Sequence, residues 1–205
     1  GKDDKLNTEN QQIYFGLETN DTIATNAKNK KEYDYTDELG NEYTSTYSGQ
    51  AGLKLNFGDR LILALSKGDI KLAFSGEITQ DSKILINRNI IKRAKKAMPY
   101  LLYDDEPYTI VTDEGKIKWV LDAYTISSNY PYSQYTSIEY NNKKQKINYI
   151  KNSVKLIIDA YDGTIDYYIT DKTDPIAMAY NNTYKGLFKE EVPEDIANHF
   201  TYPKY

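Results

Sequence analysis

The sequence contains no cysteine and only one histidine among its 205 residues. The absence of cysteine excludes a disulfide framework and a thiolate metal site, although it leaves the cellular compartment open. A catalytic triad would have no base other than His199, which lies late in a short predicted terminal helix. Nucleophile-elbow, zinc-protease, Walker and dinucleotide-binding motifs are also absent. We therefore predict no catalytic residue and no cofactor.

The sequence also lacks an excess of positive charge and any long apolar run. Its formal net charge is −4, which gives no reason to expect nucleic acid as a partner, because phosphate binding needs a basic surface. No apolar run is long enough to span a bilayer, and no signal peptide is recognisable. The chain begins with Gly1 instead of Met, so we expect it to be a piece of a longer protein.

Tyrosine is abundant, with 21 residues against 5 Phe and 1 Trp. A Tyr ring is apolar but its hydroxyl needs a partner, so such cores end in polar networks or in exposed rings. A polar, aromatic loop is predicted over residues 125–135, and a docking surface for sugar or peptide and a loop packed on its own domain both fit its composition. The candidate ligand or partner surface comprises Tyr124, Ser127, Ser128, Asn129, Tyr130 and Tyr132.

The stretch from Val154 to Thr170 predicts a β-hairpin that turns at Asp162-Gly163, because Asp-Gly tolerates the positive φ angles of a type I′ turn. A two-residue turn there makes one face wholly apolar and places Asp159 directly opposite Asp166 on the other face. Two apposed carboxylates destabilise a sheet unless their charge is neutralised. Three hypotheses follow: exposed acids neutralised by nearby cations, a shared proton, or a weak calcium site at Asp159 and Asp166.

The remaining periodicities predict an α+β fold, in which antiparallel β-hairpins pack with three or four helices. We expect one domain over residues 1–205, or two subdomains over 1–100 and 101–205. The predicted strands cover 13–17, 22–25, 31–35, 42–47, 108–111, 116–124 and 136–140, the last followed by an exposed connection at 141–146. The predicted helices run from Phe57 to a C-cap at Gly68, over 87–98, from Asp174-Pro175 to about Tyr184, and from Pro193.

The predicted helix over 87–98 has one strongly basic side. Its apolar residues fall on the opposite side, so the basic side faces away from the core. Such a side is either solvated or in contact with acidic headgroups or an acidic partner. The basic residues are Arg88, Lys92, Arg93, Lys95 and Lys96.

Several stretches together carry a family resemblance. They are TQDSKILINRNI at 79–90, WVLDAYTISSNYPYSQ at 119–134, NYIKNSVKLIIDAYDGT at 148–164, DPI at 174–176 and KGLF at 185–188. They resemble the soluble part of uncharacterised protein family 0182, a group of bacterial multi-pass membrane proteins. The resemblance implies that transmembrane helices precede this chain and that the chain lies outside the cytoplasm, at the cell membrane. It implies no catalytic residues.

These observations favour a non-catalytic function. The expected partners are an envelope ligand, another protein, or the protein's own transmembrane region and membrane surface. The alternative is a cell-envelope enzyme that uses carboxylates such as Asp122 and Asp159. A deep pocket that converges on those acids would favour the enzyme, whereas an exposed Tyr-rich patch would favour binding.

Overall fold

A computed structural model describes residues 12–28, 32–36, 40–68, 76–79, 81–140 and 143–201. The chain divides into two compact units, a smaller one at Glu18–Asn89 and a larger one that joins the residues before it to those after it. Both units combine strands with helices, which confirms the predicted α+β class. The expected boundary near residue 100 differs from this division, because the helix that begins at Ile90 packs with the large sheet.

The smaller unit contains two antiparallel strand pairs and a helix, α1. In this helix Asn56 caps the first turn by accepting a hydrogen bond from the Asp59 N–H, and Gly68 ends the last turn with a φ of 68°. Ala64 of the helix packs against Ile84 in the core of the unit. The predicted strands, helix and C-cap are thereby confirmed, while the turn residues 37–39 lie outside the described chain. The elements are β1 Thr22–Thr25, β2 Glu32–Thr36, β3 Glu42–Ser45, α1 Phe57–Lys67 and β4 Lys83–Ile86.

The larger unit is built on a mixed sheet in the order β12-β11-β10-β7-β5, with β6 also paired to β7. All pairs are antiparallel except β11–β12, which is parallel. The central strands β7 and β10 are long, and their middle residues are continuously buried because both faces of the sheet are covered. The sheet strands are β5 Leu102–Tyr103, β6 Tyr108–Val111, β7 Ile117–Ser127, β10 Tyr149–Asp159, β11 Ile165–Ile169 and β12 Phe188–Lys189.

Helices cover the two faces of this sheet. On one face, the hydroxyl of Tyr103 donates to the Met98 carbonyl at 2.7 Å, directly after the covering helix. On the other face, Val120 and Ile157 pack against Ile196. The helices are α2 Ile90–Ala97, α3 Pro175–Thr183 and α4 Glu194–Ala197, and their predicted positions are confirmed. Across the described ranges, no helix has both the length and the apolar character needed to cross a membrane.

A separate hairpin follows β7 and consists of β8 Thr136–Tyr140 and β9 Lys143–Ile147. The prediction of β8 is confirmed. The predicted connection at 141–146 is instead largely the strand β9, although its side chains are exposed as expected. Lysines suit such a position, because charged side chains keep an exposed edge from pairing with another chain.

The first described segment is not the strand predicted over 13–17. The N–H groups of Tyr14 and Phe15 both donate to the Ala160 carbonyl at 2.9 Å, and the Trp119 indole N–H donates to the Phe15 carbonyl at 2.9 Å. These separate hydrogen bonds take the place of the regular hydrogen-bonded ladder that a strand would form. The segment is therefore held on the larger unit by a few specific contacts.

The smaller unit is an insertion in the larger one. The N–H of Ile90 donates to the Gly16 carbonyl at 3.1 Å, and both residues belong to the larger unit. The two points of the larger unit between which the smaller unit is inserted in the sequence are therefore adjacent in space.

The hairpin of β10 and β11 is present, but its register differs from the prediction. Ile158 pairs with Ile165, and Asp166 pairs with Ile157 instead of Asp159. The pairing is displaced by two residues, so every side chain keeps its predicted face. The predicted apolar face is thus confirmed, and the predicted apposition of Asp159 and Asp166 is wrong.

The displaced register results from a longer loop. Residues 160–163 form a four-residue connection, closed by a bond of 3.0 Å from the Asp159 N–H to the Thr164 carbonyl. The Asp159 carboxylate accepts the N–H groups of Tyr161 and Asp162 at 2.9 Å each, which stabilises this loop over a two-residue turn. Only Gly163 adopts the positive φ that a type I′ turn would require at both Asp162 and Gly163.

Candidate functional site

The six residues of the predicted surface are not all at the surface. Tyr124 is 1% exposed, and its hydroxyl donates to Asp104 at 3.1 Å within the core. Strand β7 continues to Ser127, so Tyr124 lies inside the strand and not at its end. Tyr124 therefore belongs to the core, contrary to the prediction. Ser128 and Asn129 are exposed as predicted.

The loop over 128–135 is anchored at one tyrosine and presents another. Tyr130 stacks on Tyr149 with ring centres 4.4 Å apart, and its N–H and carbonyl both bond to the Asn148 side chain. Tyr132 is fully exposed and has a φ of 60°. This left-handed conformation is uncommon for a residue with a side chain. The anchored backbone thus holds an aromatic ring in solvent.

A buried carboxylate supports the anchor. Asp174 is 0% exposed and caps α3 by accepting the Ile176 N–H at 2.9 Å. It also accepts the hydroxyls of Tyr149, at 2.8 Å, and of Thr125. Burial alone would raise the pKa of Asp174, but hydrogen bonds from Thr125, Tyr149 and the Ile176 N–H help to outweigh burial and hold the pKa below its ordinary value. Tyr149 is therefore fixed, and with it the stacked Tyr130.

A cleft of about 450 Å³ is lined in part by β8, the strand that follows this loop in the sequence. Residues 137–140 of β8 line it together with Leu102 and Tyr103 of β5. Ile150, at the start of β10, contributes further apolar surface. The volume falls within the range of about 300–1,000 Å³ that is usual for ligand sites. The cleft can therefore hold a ligand with an apolar part.

Charged side chains of both signs line the same cleft. They are Lys95 of α2, Asp105 after β5, and Glu139 of β8. The Lys95 ammonium lies 5.0 Å from the centre of the Tyr140 ring, and the Tyr140 hydroxyl donates to the Leu101 carbonyl at 3.2 Å. An apolar floor with a few charged groups is typical of sites that bind and orient a ligand.

The carboxylates of the enzymatic alternative do not converge on this cleft or on each other. Asp122 forms an ion pair with Lys155 in which both side chains are 8% exposed, and it also accepts a bond from the Asn152 amide at 3.0 Å. Asp159 lies four residues beyond Lys155 along β10, roughly 13 Å away, where it caps the loop that follows. Each acid thus has a separate structural partner.

The arrangement that suggested a cation at Asp159 and Asp166 is absent. Asp166 instead forms an ion pair of 2.8 Å with Lys189 of β12. Throughout the described part of the chain, no group of three or more His, Asp or Glu side chains is placed to hold a metal ion.

The predicted basic side of the helix at 87–98 is divided among different roles. Arg88 precedes α2, is buried and donates to the Asn20 carbonyl. Arg93 packs over the Phe15 ring at 4.9 Å and donates to the Gly163 carbonyl at 2.6 Å. Lys95 faces the cleft. Only Lys92 and Lys96 of this group are exposed.

No motif in the sequence points to a function for the cleft residues. Ile138 is a signal in the sequence, because it is an apolar residue between polar neighbours in a mostly polar hairpin. In the structure Ile138 is half-buried and lines the cleft. An isolated apolar residue of this kind indicates that something covers it, but not which element does so.

Comparison with known proteins places these observations in a family. The model of the Uncharacterised protein family (UPF0182) matches residues 1–205. A UPF0182 protein of Clostridium botulinum strain Hall is 50% identical over 197 residues, 95% of this chain and 21% of its own. Relatives in Clostridium acetobutylicum and Clostridium tetani are 48% and 44% identical, over 97% and 96% of this chain and 21% of theirs. The chain spans about a fifth of the length of these curated relatives, and no solved structure matches it.

Proposed function

Because the chain belongs to the uncharacterised protein family UPF0182, we propose that it is a non-catalytic binding module on the extracytoplasmic side of a multi-pass membrane protein. The resemblance of its sequence stretches to the soluble part of such proteins supports the membrane context. The module would then lie at the cell membrane, close to the protein's own transmembrane region and to the lipid surface.

The cleft between β5 and β8 is the observation on which the binding function rests. It combines apolar lining with charged groups of both signs. Strand β8, which contributes to the lining, follows directly after the loop that holds Tyr132 in solvent. Exposed Tyr with neighbouring Ser and Asn is a composition that binding surfaces use. In contrast, Asp122 and Asp159 are engaged in structural contacts, so no observation favours the enzymatic alternative.

Binding in the cleft is tested with the full-length protein and a panel of small amphipathic molecules, monitored by saturation-transfer NMR. We expect a subset of the panel to bind, and we expect Ile150→Trp to weaken that binding because the larger side chain occupies part of the cleft. Ile62→Trp, the same change at an exposed position of the smaller unit, is the matched control. Equal binding to the wild type and to Ile150→Trp would contradict the proposal.

The extracytoplasmic location is tested by labelling cysteines in intact cells. Lys144 of β9 is exposed, and the chain itself contains no cysteine. In a full-length protein whose other cysteines have been replaced, Lys144→Cys should react with a membrane-impermeant maleimide. A cytoplasmic thiol protein serves as the lysis control, and labelling that requires lysis would refute the location.

A further inference from the structure

Three tyrosines of the larger unit, Tyr100, Tyr180 and Tyr184, form a cluster that has no residue in common with the lining of the cleft. Tyr180 lies in the last turn of α3 and Tyr184 is its C-cap, so the two side chains are one helical turn apart on the same face. Tyr100 belongs to the segment between α2 and β5. The ring centres are 6.4 Å apart between Tyr100 and Tyr180, and 6.5 Å apart in the other two pairs.

The rings of this tyrosine cluster do not cover one another's faces. Tyr130 and Tyr149, whose rings are stacked, have their centres only 4.4 Å apart. The separations of 6.4–6.5 Å in the cluster are too long for one ring to lie over the next. Tyr100 and Tyr184 are exposed, and Tyr180 is half-buried. The cluster therefore presents aromatic surface to solvent.

The three ring centres form a nearly equilateral triangle. Its midpoint lies about 3.7 Å from each centre, which is 6.5 Å divided by the square root of three. Because a cation is attracted to a ring when it lies within about 6 Å of the centre, one cation roughly 4.7 Å above the midpoint is within range of all three rings. The ring planes are tilted by 20–50° to one another, so no ring stands perpendicular to the others.

No cation of the chain itself occupies this cluster. Elsewhere a Lys or Arg lies over each of six aromatic rings, 4.9–5.8 Å from the ring centre. Among the described residues, no Lys or Arg packs over Tyr100, Tyr180 or Tyr184 in this way. Lys185, which follows Tyr184 in the sequence, is exposed. The tyrosine cluster is therefore open to a cation from outside the chain.

The fixed charge that acts on the cluster is negative. Burial raises the pKa of Tyr180, and so do the neighbouring Tyr184 and Tyr100 and the carboxylate of Asp174. Asp174 is the only charged group among these causes, and the low pKa of its own carboxyl keeps it ionised at neutral pH. Water screens a buried charge less than an exposed one, so this carboxylate favours a cation at the cluster.

From this arrangement we infer that the tyrosine cluster is a binding site for an organic ammonium cation. The negative faces of the rings supply the attraction. A methylated ammonium suits the site best, because it has no N–H that needs a hydrogen-bond partner and quaternary ammonium ions are the cations that aromatic cages typically recognise. The inference goes beyond the proposed function, since it adds a second site with a ligand class of its own.

The charge of the ligand is tested with choline and with dimethylbutanol, the neutral isostere in which carbon replaces the ammonium nitrogen. Saturation-transfer NMR with the full-length protein measures both affinities. We expect choline to bind at least about fivefold more tightly, because only the cation is attracted by the ring faces. Equal affinities, or no binding of choline, would overturn the inference. This comparison does not depend on the folding of any variant.

The position of the site is tested with variants at the exposed rings. Tyr100→Ala and Tyr184→Ala should each weaken choline binding at least about threefold, because each removes one of three rings. Tyr100→Phe retains the ring and should retain the affinity of the wild type. Tyr135→Ala is the matched control, since it is the same change at an exposed tyrosine outside both the cluster and the cleft lining. Unchanged binding to both cluster alanine variants would overturn the assignment.

Further comparisons separate this site from the cleft and identify the source of the cation. Ile150→Trp should leave choline binding unchanged, and a loss of choline binding there but not in Tyr100→Ala would place the cation in the cleft and overturn the inference. Glycerophosphocholine is the soluble headgroup of a lipid. Binding as tight as that of choline indicates a lipid source and binding of choline alone a free cation, and both results support the site. Tighter binding of N-acetylglucosamine than of choline would overturn it in favour of a sugar-binding surface.

Discussion

Gly163 is a residue at which conformation and packing impose the same choice. Its φ is 66°, and a Cβ placed there would lie 2.6 Å from the Phe15 ring. Arg93 also packs on that ring and donates to the Gly163 carbonyl at 2.6 Å. The loop after β10, the first described segment and α2 therefore meet at a position that only glycine can occupy without displacing its neighbours.

We expect Gly163→Ala to lower the free energy of unfolding more than Gly186→Ala does. Both residues belong to the larger unit and have left-handed φ values of 66° and 81°, so a conformational cost of about 1–2 kcal/mol is common to both. Only at 163 does the added methyl meet a ring, which adds about 1–3 kcal/mol of overpacking. Urea unfolding of both variants measures the difference, and equal losses would show that Phe15 moves aside freely.

Asp174 is a second position where a single side chain affects a large region. Asp174→Asn should lower the free energy of unfolding at neutral pH by about 1–3 kcal/mol, because the amide provides one acceptor oxygen where several donors converge. Asp113→Asn changes an exposed carboxylate in a hairpin turn and should have little effect, which makes it the control. Unfolding of both variants by urea provides the comparison.

The pH dependence gives the sign of the Asp174 contribution. Its pKa is lower in the folded state than the ordinary value near 4, so the carboxylate stabilises the fold above that value. This stabilisation is lost as the pH falls through the lower, folded pKa. The gap between wild type and Asp174→Asn should therefore narrow below about pH 4. A gap that is constant between pH 7 and pH 3 would contradict the assignment.

Strands β7 and β10 are joined by a buried ion pair in the middle of the sheet. Removing one partner leaves the other charge buried and unpaired, so Asp122→Asn and Lys155→Met should each cost about 3–5 kcal/mol. The double variant contains no buried charge at this position, so its loss should be much smaller than the sum of the single losses. Chemical denaturation of the four proteins tests this, and additive losses would show that the two residues act independently.

The pairing of β11 with the short parallel strand β12 changes what Asp166 is expected to do. Its partner is Lys189, and both side chains are about half exposed. Such a pair contributes about 0–1 kcal/mol, so Asp166→Asn should be neutral or slightly destabilising, and less so in high salt. Thermal unfolding at low and high salt measures this effect. A gain of several tenths of a kcal/mol would restore the idea that Asp166 faces another carboxylate.

Neighbours in sequence determine the features that were predicted correctly. Gly68 ends α1 and Asp174 begins α3 because capping depends on backbone conformation and on groups two or three residues away. The register of the hairpin was not predictable in this way, since Asp162-Gly163 suits more than one type of loop. The observed loop depends on the Asp159 carboxylate, and Gly163 in it is packed against Phe15, which is distant in sequence.

The cleft was beyond prediction for a related reason. Residues of α2, β5, β8 and β10 line it together, and hydrophobic periodicity carries no information about which distant elements become neighbours. The error at Tyr124 was smaller and was caused by a strand that ends three residues later than its pattern indicated. Such boundary errors change the assignment of a residue from surface to core when, as in β7, the side chains alternate between two covered faces.

The insertion of one unit into the other predicts that the smaller unit can be removed. Because Gly16 and Ile90 are joined by a backbone hydrogen bond, replacing 18–89 with a short Gly-Ser linker should leave the larger unit folded. Trp119 is the only tryptophan of the chain and bonds to Phe15, so its fluorescence should remain native. Fluorescence of an unfolded chain, with no cooperative transition in urea, would contradict this expectation.

The same connectivity sets an order of events on the ribosome. Phe15 emerges before the Trp119 indole that it binds, which is 104 residues further along, and at about 5–20 residues per second this is a delay of roughly 5–20 s. During that interval the whole of Glu18–Asn89 leaves the ribosome and can form its own internal contacts. The segment around Phe15 lacks its partners in the larger unit during this time. A nascent chain arrested before Trp119 should therefore contain a folded smaller unit and a larger unit that has not yet folded.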